Sequence, residues 1–334
     1  FLEEYADFLE SHLERWTCTK SGTLVPGITN HYVRINPVDI HDPRPNEDIN
    51  KATLILANQV PGGRFQYPAK EIVDAGFVGL VRLGIRSPSD KLIMDSLKVV
   101  DAVLKVETPV GPCWHRYNHD GYGETETGEP FRGWGVGRAW PLLTAERGLY
   151  ELAAGHDVRP YIESMEKFAS TTGLLPEQIW DTKDIEEMHF HLGKPTGSVM
   201  PLCWAHSEYL RLVRSASEGK VFDLISEVEE RYITKRTIRS LNNPIEVWKQ
   251  NRQPSSIAPN TLLRIQASQE FVLHWTFDSW LSVNDTDSTS TNLGVEFVDI
   301  IPSTNATSIK FTFYWPKSNS WEGKDYLVDV KAGS

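Results

Sequence analysis

The 334-residue chain has only three cysteines, Cys18, Cys113 and Cys203, far apart and without a CxxC pair. Such spacing excludes a disulfide framework and a cysteine-based zinc site, and an odd number leaves at least one thiol unpaired. All three are expected to be structural thiols. No run of about 18 apolar residues occurs, so no membrane partner is expected. Basic residues are in deficit: 34 Lys and Arg against 45 Asp and Glu give a formal net charge of −11. That balance argues against a nucleic-acid partner, which needs clustered Lys and Arg to neutralise phosphates. A starting Met, a basic leader and a cleavage site are also missing, so targeting cannot be read. Internal repeats and low-complexity tracts are absent as well.

What is present is a chain 40% hydrophobic, with 11 Trp, 11 Tyr and 13 Phe, enough for a sizeable core in one large domain or two. Flat aromatic faces suit sugar rings, and they also fill cores. The chain opens inside an expected helix, with Leu2, Tyr5, Leu9, Leu13 and Trp16 at helical spacing. Ser87-Pro88 reads as a helix start, followed by a face of Ile93, Leu97, Val100 and Leu104. Similar stripes predict helices near 69–83 and 221–232, and two more are expected around 137–154 and 198–214. The connections 17–45, 105–135 and 173–196 are long and rich in Gly, Pro, Asp and aromatics, as functional loops are. Helices of similar length joined by such loops fit an α/α barrel over residues 1–240.

After Asn242-Asn243-Pro244 the texture changes. Thr261–Ala267, Glu270–Thr276, Val295–Ile300 and Ser308–Tyr314 are short, β-branched or aromatic, and separated by turn-rich stretches such as Asn284–Asn292. That pattern predicts a small antiparallel β-sandwich over 245–334.

Four segments carry chemistry. The loop Trp114-His115-Arg116-Tyr117-Asn118-His119-Asp120-Gly121-Tyr122-Gly123-Glu124 gathers groups that could bind several hydroxyls, and equally a self-satisfied Arg–Asp pair. Trp140 precedes Pro141 at a helix mouth, where an aromatic faces either a pocket or the core. Glu146 and Arg147, further in, read as ion-pair residues. Pro176-Glu177-Gln178 places a carboxylate behind a fixed backbone. Ser198 is expected to cap a helix that carries Trp204 and His206.

Taken in order, Arg116-Tyr117-Asn118-His119-Asp120-Gly121-Tyr122-Gly123-Glu124, Trp140-Pro141-Leu142-Leu143-Thr144, Pro176-Glu177-Gln178 and Trp204-Ala205-His206 resemble the glucoamylase and glucodextranase family of inverting glycoside hydrolases, chiefly its bacterial branch. The resemblance covers about residues 1–240 and implies part of an (α/α)6 barrel, incomplete in this chain, around a pocket for the non-reducing end of an α-glucan. It implies release of glucose with anomeric inversion, α-1,4 linkages preferred, and no cofactor, with calcium in the loops left open. Carried over residue by residue, Glu177 takes the place of the general base, Arg116 and Asp120 of the polar pair gripping the terminal glucose, with Tyr117 between them, and Trp140 of an aromatic wall. The expected partner is an α-glucan oligosaccharide or polysaccharide, and family habit implies export. Trehalase-like and glucodextranase readings share the same pocket, and a non-catalytic glucan-binding protein is the alternative of another class. The family's general acid sits in a Trp-Glu-Glu segment on an earlier helix, and no such triplet occurs here. A companion N-terminal chain is therefore expected to carry it. The tail resembles the small β-domain of some bacterial members, with Trp275, Trp280, Trp315 and Trp321 as core or as a glucan face.

Overall fold

The computed structural model describes residues 1–35, 38–39, 41–236 and 244–331; Asn242 and Asn243, where the texture of the sequence changes, lie outside them. The helices are α1 (Leu2–Thr17), α2 (Val78–Arg82), α3 (Lys91–Leu104), α4 (Pro141–Ala153), α5 (Arg159–Phe168), α6 (Cys203–Glu218) and α7 (Ser226–Glu229), the last running on as a π-helical turn at Glu230–Thr234. Among the described residues no helix is long and apolar enough to cross a membrane. Strands pair antiparallel as β1 (Cys18–Thr19) with β2 (His31–Tyr32), β3 (Thr53–Ile55) with β4 (Gln66–Pro68), and β5 (Lys105–Thr108) with β6 (Gly111–Trp114). The chain divides into two units, one of Glu14–Pro37 and Glu47–Arg236, the other of Phe1–Leu13, Val38–Asn46 and Thr237–Ser334.

In the helical unit α3 begins later than Ser87-Pro88. The Asp90 carboxylate accepts the Leu92 N–H at 2.8 Å, while the Ser87 hydroxyl is taken up by Ser89. Ile93, Leu97, Val100 and Leu104 then form the buried face that their spacing predicts. The stripe over 69–83 does not form one helix. A 3-10 turn at Ala69–Glu71 gives way to extended chain, because Asn118 captures it: its Oδ1 accepts the Val73 N–H at 2.8 Å and its Nδ2 donates to the Glu71 carbonyl at 2.8 Å. Ile72, at φ −104° and ψ 119°, has already left the helical conformation, and it and Val73 are both fully buried in the extended stretch. Helix α4 starts on Pro141 as expected and packs tightly on α5 and α6. A Cβ on Gly148 would stand 3.0 Å from atoms of Leu212 and Tyr161. Helix α6 starts at Cys203, not at Ser198, whose hydroxyl accepts the Gln178 N–H instead, and it ends on Gly219 at φ 70°. Cys18 and Cys113 are buried, and burial pushes both thiols up to about 12. Cys203 is exposed.

The other unit holds β7 (Ile245–Trp248), β8 (Ser256–Ile257), β9 (Leu262–Ala267), β10 (Val272–Thr276), β11 (Asn284–Asp287), β12 (Thr289–Ser290), β13 (Glu296–Ile300), β14 (Ser308–Trp315), β15 (Ser320–Trp321) and β16 (Tyr326–Val330). One sheet runs β12-β13-β9-β7, the other β11-β10-β14-β16-β8 with β15 on β14. Both contribute to one core around Trp248, Leu263, Phe271, Leu273, Phe311 and Phe313. Asn284–Asn292 is not only turn: polar strands β11 and β12 lie within it, paired to β10 and β13. The first turns of α1 belong to this unit. Arg264 donates to Glu4 at 2.8 Å and to Asp299 at 2.7 Å, and buried Glu246 faces both His12 and Arg252.

Candidate active site

Short backbone bridges bring the four segments together inside the helical unit. Trp140, just before α4, pairs with Trp114 at the end of β6, its N–H donating to the Trp114 carbonyl at 2.8 Å. Ala139 bridges Ile179, and Asp74 bridges Tyr117. Gln178, 1% exposed, donates its side-chain amide to the Tyr122 carbonyl at 3.0 Å. The Glu177 N–H donates to the Val199 carbonyl at 2.8 Å, and the Leu175 N–H donates to His206 Nε2 at 3.0 Å. His206 thus tethers the glutamate segment to α6, while Trp204, beside it in sequence, is exposed.

Arg116 and Asp120 form a two-pronged pair, Nε to Oδ2 at 2.7 Å and Nη2 to Oδ1 at 2.9 Å. The Asp120 side chain is 1% exposed and that of Arg116 32%, so the acid is the anchor and the guanidinium the presented group. Three rings surround that guanidinium: Trp140 at 4.8 Å, Tyr122 at 4.9 Å and Tyr117 at 5.5 Å. Tyr117 is buried and also carries the Arg34 guanidinium at 4.0 Å, so cations approach its ring from two residues. Trp140 is 5% exposed, and its indole N–H has no hydrogen-bond partner among the described residues.

Glu177 lies beside this group, 9% exposed, with the Tyr122 hydroxyl 3.4 Å from its Oε2. Burial pushes its carboxyl above the ordinary glutamate value; the Tyr122 hydrogen bond, the Arg116 charge and a Val199 backbone hydrogen bond oppose the rise, and the Glu124 charge adds to it. The donors that a carboxylate base needs are in place, and desolvation outweighs them. Glu124 accepts the Gly197 N–H at 2.9 Å through Oε1, and its Oε2 is buried without a partner among the described residues.

Two residues escape sequence reasoning. Tyr122 joins Arg116, Trp140 and Glu177 through one side chain, although in the sequence it is one aromatic among many. Arg138 is fully buried, donates to Asp181 at 2.8 Å and to the Thr125 carbonyl at 2.6 Å, and lies 4.0 Å over the Trp180 ring. Its place next to Ala139-Trp140 is the only signal it leaves in the sequence. Glu146 and Arg147 do not pair with each other. Arg147 holds Asp101 and Glu151, while burial, reinforced by Glu208, pushes Glu146 up to about 7. Among the described residues, the group able to offer a metal several ligands is Asp184, Glu186 and His191, the two acids exposed and the histidine half-buried, in the segment after Asp181.

Residues 6–214 match the profile of glycosyl hydrolases family 15. Over 233 residues the chain is 45% identical to a glucoamylase of Clostridium sp. (strain G0005), an alignment covering 70% of this chain and 30% of that protein. The crystal structure of a bacterial glucoamylase complexed with acarbose superposes with a TM-score of 0.60 at 44% identity, covering 69% of this chain and 31% of that one. The chain thus spans about a third of the length of these relatives and shares the glucoamylase fold over the aligned part. By the extent of the profile match and the identity to these relatives, the chain belongs to glycosyl hydrolases family 15.

Proposed function

We propose that the chain supplies the base side of an exo-acting α-glucan hydrolase that releases glucose from non-reducing ends with inversion, α-1,4 linkages preferred. In this reading the unit of Glu14–Pro37 and Glu47–Arg236 is the C-terminal part of an (α/α)6 catalytic barrel, narrower than the 1–240 that the sequence suggests, and the β-rich unit, which also takes Phe1–Leu13 and Val38–Asn46, is a β-sandwich accessory domain. The observation that carries it is the buried Glu177 carboxyl, held by Tyr122 beside an Arg116 guanidinium that rests against three aromatic rings. Glu177 removes a proton from water as that water attacks the anomeric carbon, and the leaving oxygen departs on the opposite face. Arg116 and Asp120 bind hydroxyls of the terminal glucose, and Tyr117 and Trp140 form the walls. Inversion calls for a second carboxyl about 6.5–9.5 Å from the base, to protonate the leaving oxygen. A companion N-terminal segment provides it in this reading. Two carboxyls suffice for the chemistry, so no cofactor is required.

Maltotetraose followed by proton NMR tests the reading: β-glucose accumulates first, and mutarotation then brings in the α-anomer. Appearance of α-glucose first, or no glucose from the assembly that includes the N-terminal segment, would sink it. Isomaltose-series sugars and trehalose run alongside decide the linkage.

The pH dependence follows from the same contacts. A base works ionised, so the acid limb of kcat/KM lies above the ordinary glutamate range. Tyr122→Phe keeps the ring near Arg116 and removes the hydroxyl that holds the carboxyl down. The acid limb should therefore move to higher pH in that variant. An unmoved limb would separate Glu177 from the titration.

A further inference from the structure

The tryptophans of the β-rich unit divide into two kinds. Trp315 stacks on buried Phe313 at 5.1 Å and donates to Glu322 at 2.9 Å, and Trp275 packs on Phe277 and donates to Thr286 at 3.0 Å. Both serve the core side. Trp280 and Trp321 do not. On β10 and β14 the residues alternate, Leu273 and Phe313 turning inward with no exposure, His274 and Tyr314 remaining partly exposed. Trp280 stacks on His274 at 5.3 Å and 20°. Trp321, 56% exposed on β15, meets the same His274 edge-on at 5.3 Å and Tyr314 at 5.3 Å and 57°. Four rings thus form one continuous row.

The row has polar margins. His274 Nδ1 lies 2.6 Å from Asp285 Oδ1, and the Tyr314 hydroxyl donates to Asn319 Oδ1 at 2.6 Å. It is also held at a conformational cost. Ser279 and Trp280 adopt φ of 59° and 74°, a region that side chains larger than glycine seldom enter. Asp278 secures that turn by accepting the Ser282 N–H at 2.9 Å and the Ser282 and Thr276 hydroxyls at 2.6 and 2.7 Å. The strained turn thus sets Trp280 against His274 on a half-open surface, outside the core cluster of this unit.

We infer that Trp280, His274, Trp321 and Tyr314 form a surface binding platform for a neutral polysaccharide chain, separate from the Glu177 site. Pyranose rings present C–H faces to aromatic planes and hydroxyls to the groups at the margin, and rings set at different angles follow the turn between successive sugar units. An uncharged ligand agrees with a chain of net charge −11. That the sugar is an α-1,4-glucan rests on the proposed function; the platform itself does not.

The test is native affinity electrophoresis of the full chain carrying Glu177→Gln, which leaves the gel matrix intact, through gels containing amylopectin, dextran or hydroxyethylcellulose. Amylopectin should retard the parent, and Trp280→Ala with Trp321→Ala should weaken the retardation at least about fivefold. Trp321→Phe should keep most of it, which a mere loss of folding would not permit. With Glu177 restored and the N-terminal segment present, the double variant should turn over maltotetraose at the parental rate. Equal retardation of double variant and parent, or no retardation in any gel, overturns the platform and leaves the Glu177 chemistry untouched. Retardation by dextran alone, lost in the double variant, upholds the platform and overturns the α-1,4 reading.

Discussion

In the assembly that includes the N-terminal segment, Glu177→Gln is expected to bind maltotetraose about as well as the parent and to turn it over about 10²- to 10⁴-fold more slowly, the range that a general base contributes. The amide has the size of the carboxyl, so the Tyr122 hydroxyl keeps a partner on it, and the backbone Glu177 N–H still donates to the Val199 carbonyl. It cannot take a proton from water. The loss should therefore fall on kcat, with KM little changed, which separates it from a broken binding contact. Stability gives an independent check. The folded carboxyl titrates above its ordinary value, so ionising it works against the fold, and stability contributed by the protonated form is lost as pH rises through that raised value. A neutral Gln removes the opposition. The variant should melt at the parental temperature or higher at neutral pH. Parental turnover, measured as glucose release, would remove Glu177 from the mechanism; a collapse of binding with kcat intact would make it a substrate ligand only.

The candidate site was legible where its chemistry is carried by neighbours in sequence. Arg116 and Asp120 lie four apart in one loop, and their pairing is a local geometry that a residue pattern can report. Pro141 announces α4, and with it the position of Trp140, for the same reason. Long-range hydrogen bonds were not legible. Periodicity over 69–83 suggests a helix, yet Asn118, more than forty residues on, takes the backbone groups of Glu71 and Val73 and holds the segment open. Ser198 looks like a cap and instead receives the Gln178 N–H, fastening the glutamate loop to its neighbour. In the β-rich unit, apolar alternation predicted β9, β10, β13 and β14, whereas β11 and β12 are polar and exposed and so carry no such signal. Tyr122 is the most instructive omission. Its hydroxyl matters through Glu177, 55 positions away, and only the fold puts the two together.

Asp120→Asn should lower kcat/KM by about two orders of magnitude, a loss of about 3 kcal/mol of interaction at the transition state. The aspartate accepts two guanidinium hydrogen bonds from Arg116 and the Tyr122 N–H at 3.0 Å, all with a side chain almost wholly removed from water. An asparagine can still accept the Tyr122 N–H, but its amide nitrogen would face a guanidinium nitrogen as donor against donor. Arg116 would then swing from its seat among Tyr117, Tyr122 and Trp140, carrying away the group proposed to meet the terminal glucose. Charge-assisted bonds of this kind contribute about 1.5–3 kcal/mol, and the partial exposure of Arg116 places the stability loss toward the lower end. The effect on catalysis should therefore exceed the effect on melting, with KM raised more than kcat is lowered if Arg116 chiefly binds the ground state. The acid limb of the pH profile supplies the distinguishing reading. The Arg116 charge helps to hold the Glu177 carboxyl down, so a displaced guanidinium should move that limb to higher pH, in the same direction as Tyr122→Phe. A lower kcat/KM with an unmoved limb would confine Asp120 to substrate binding; an unchanged kcat/KM would remove the Arg116–Asp120 pair from the site.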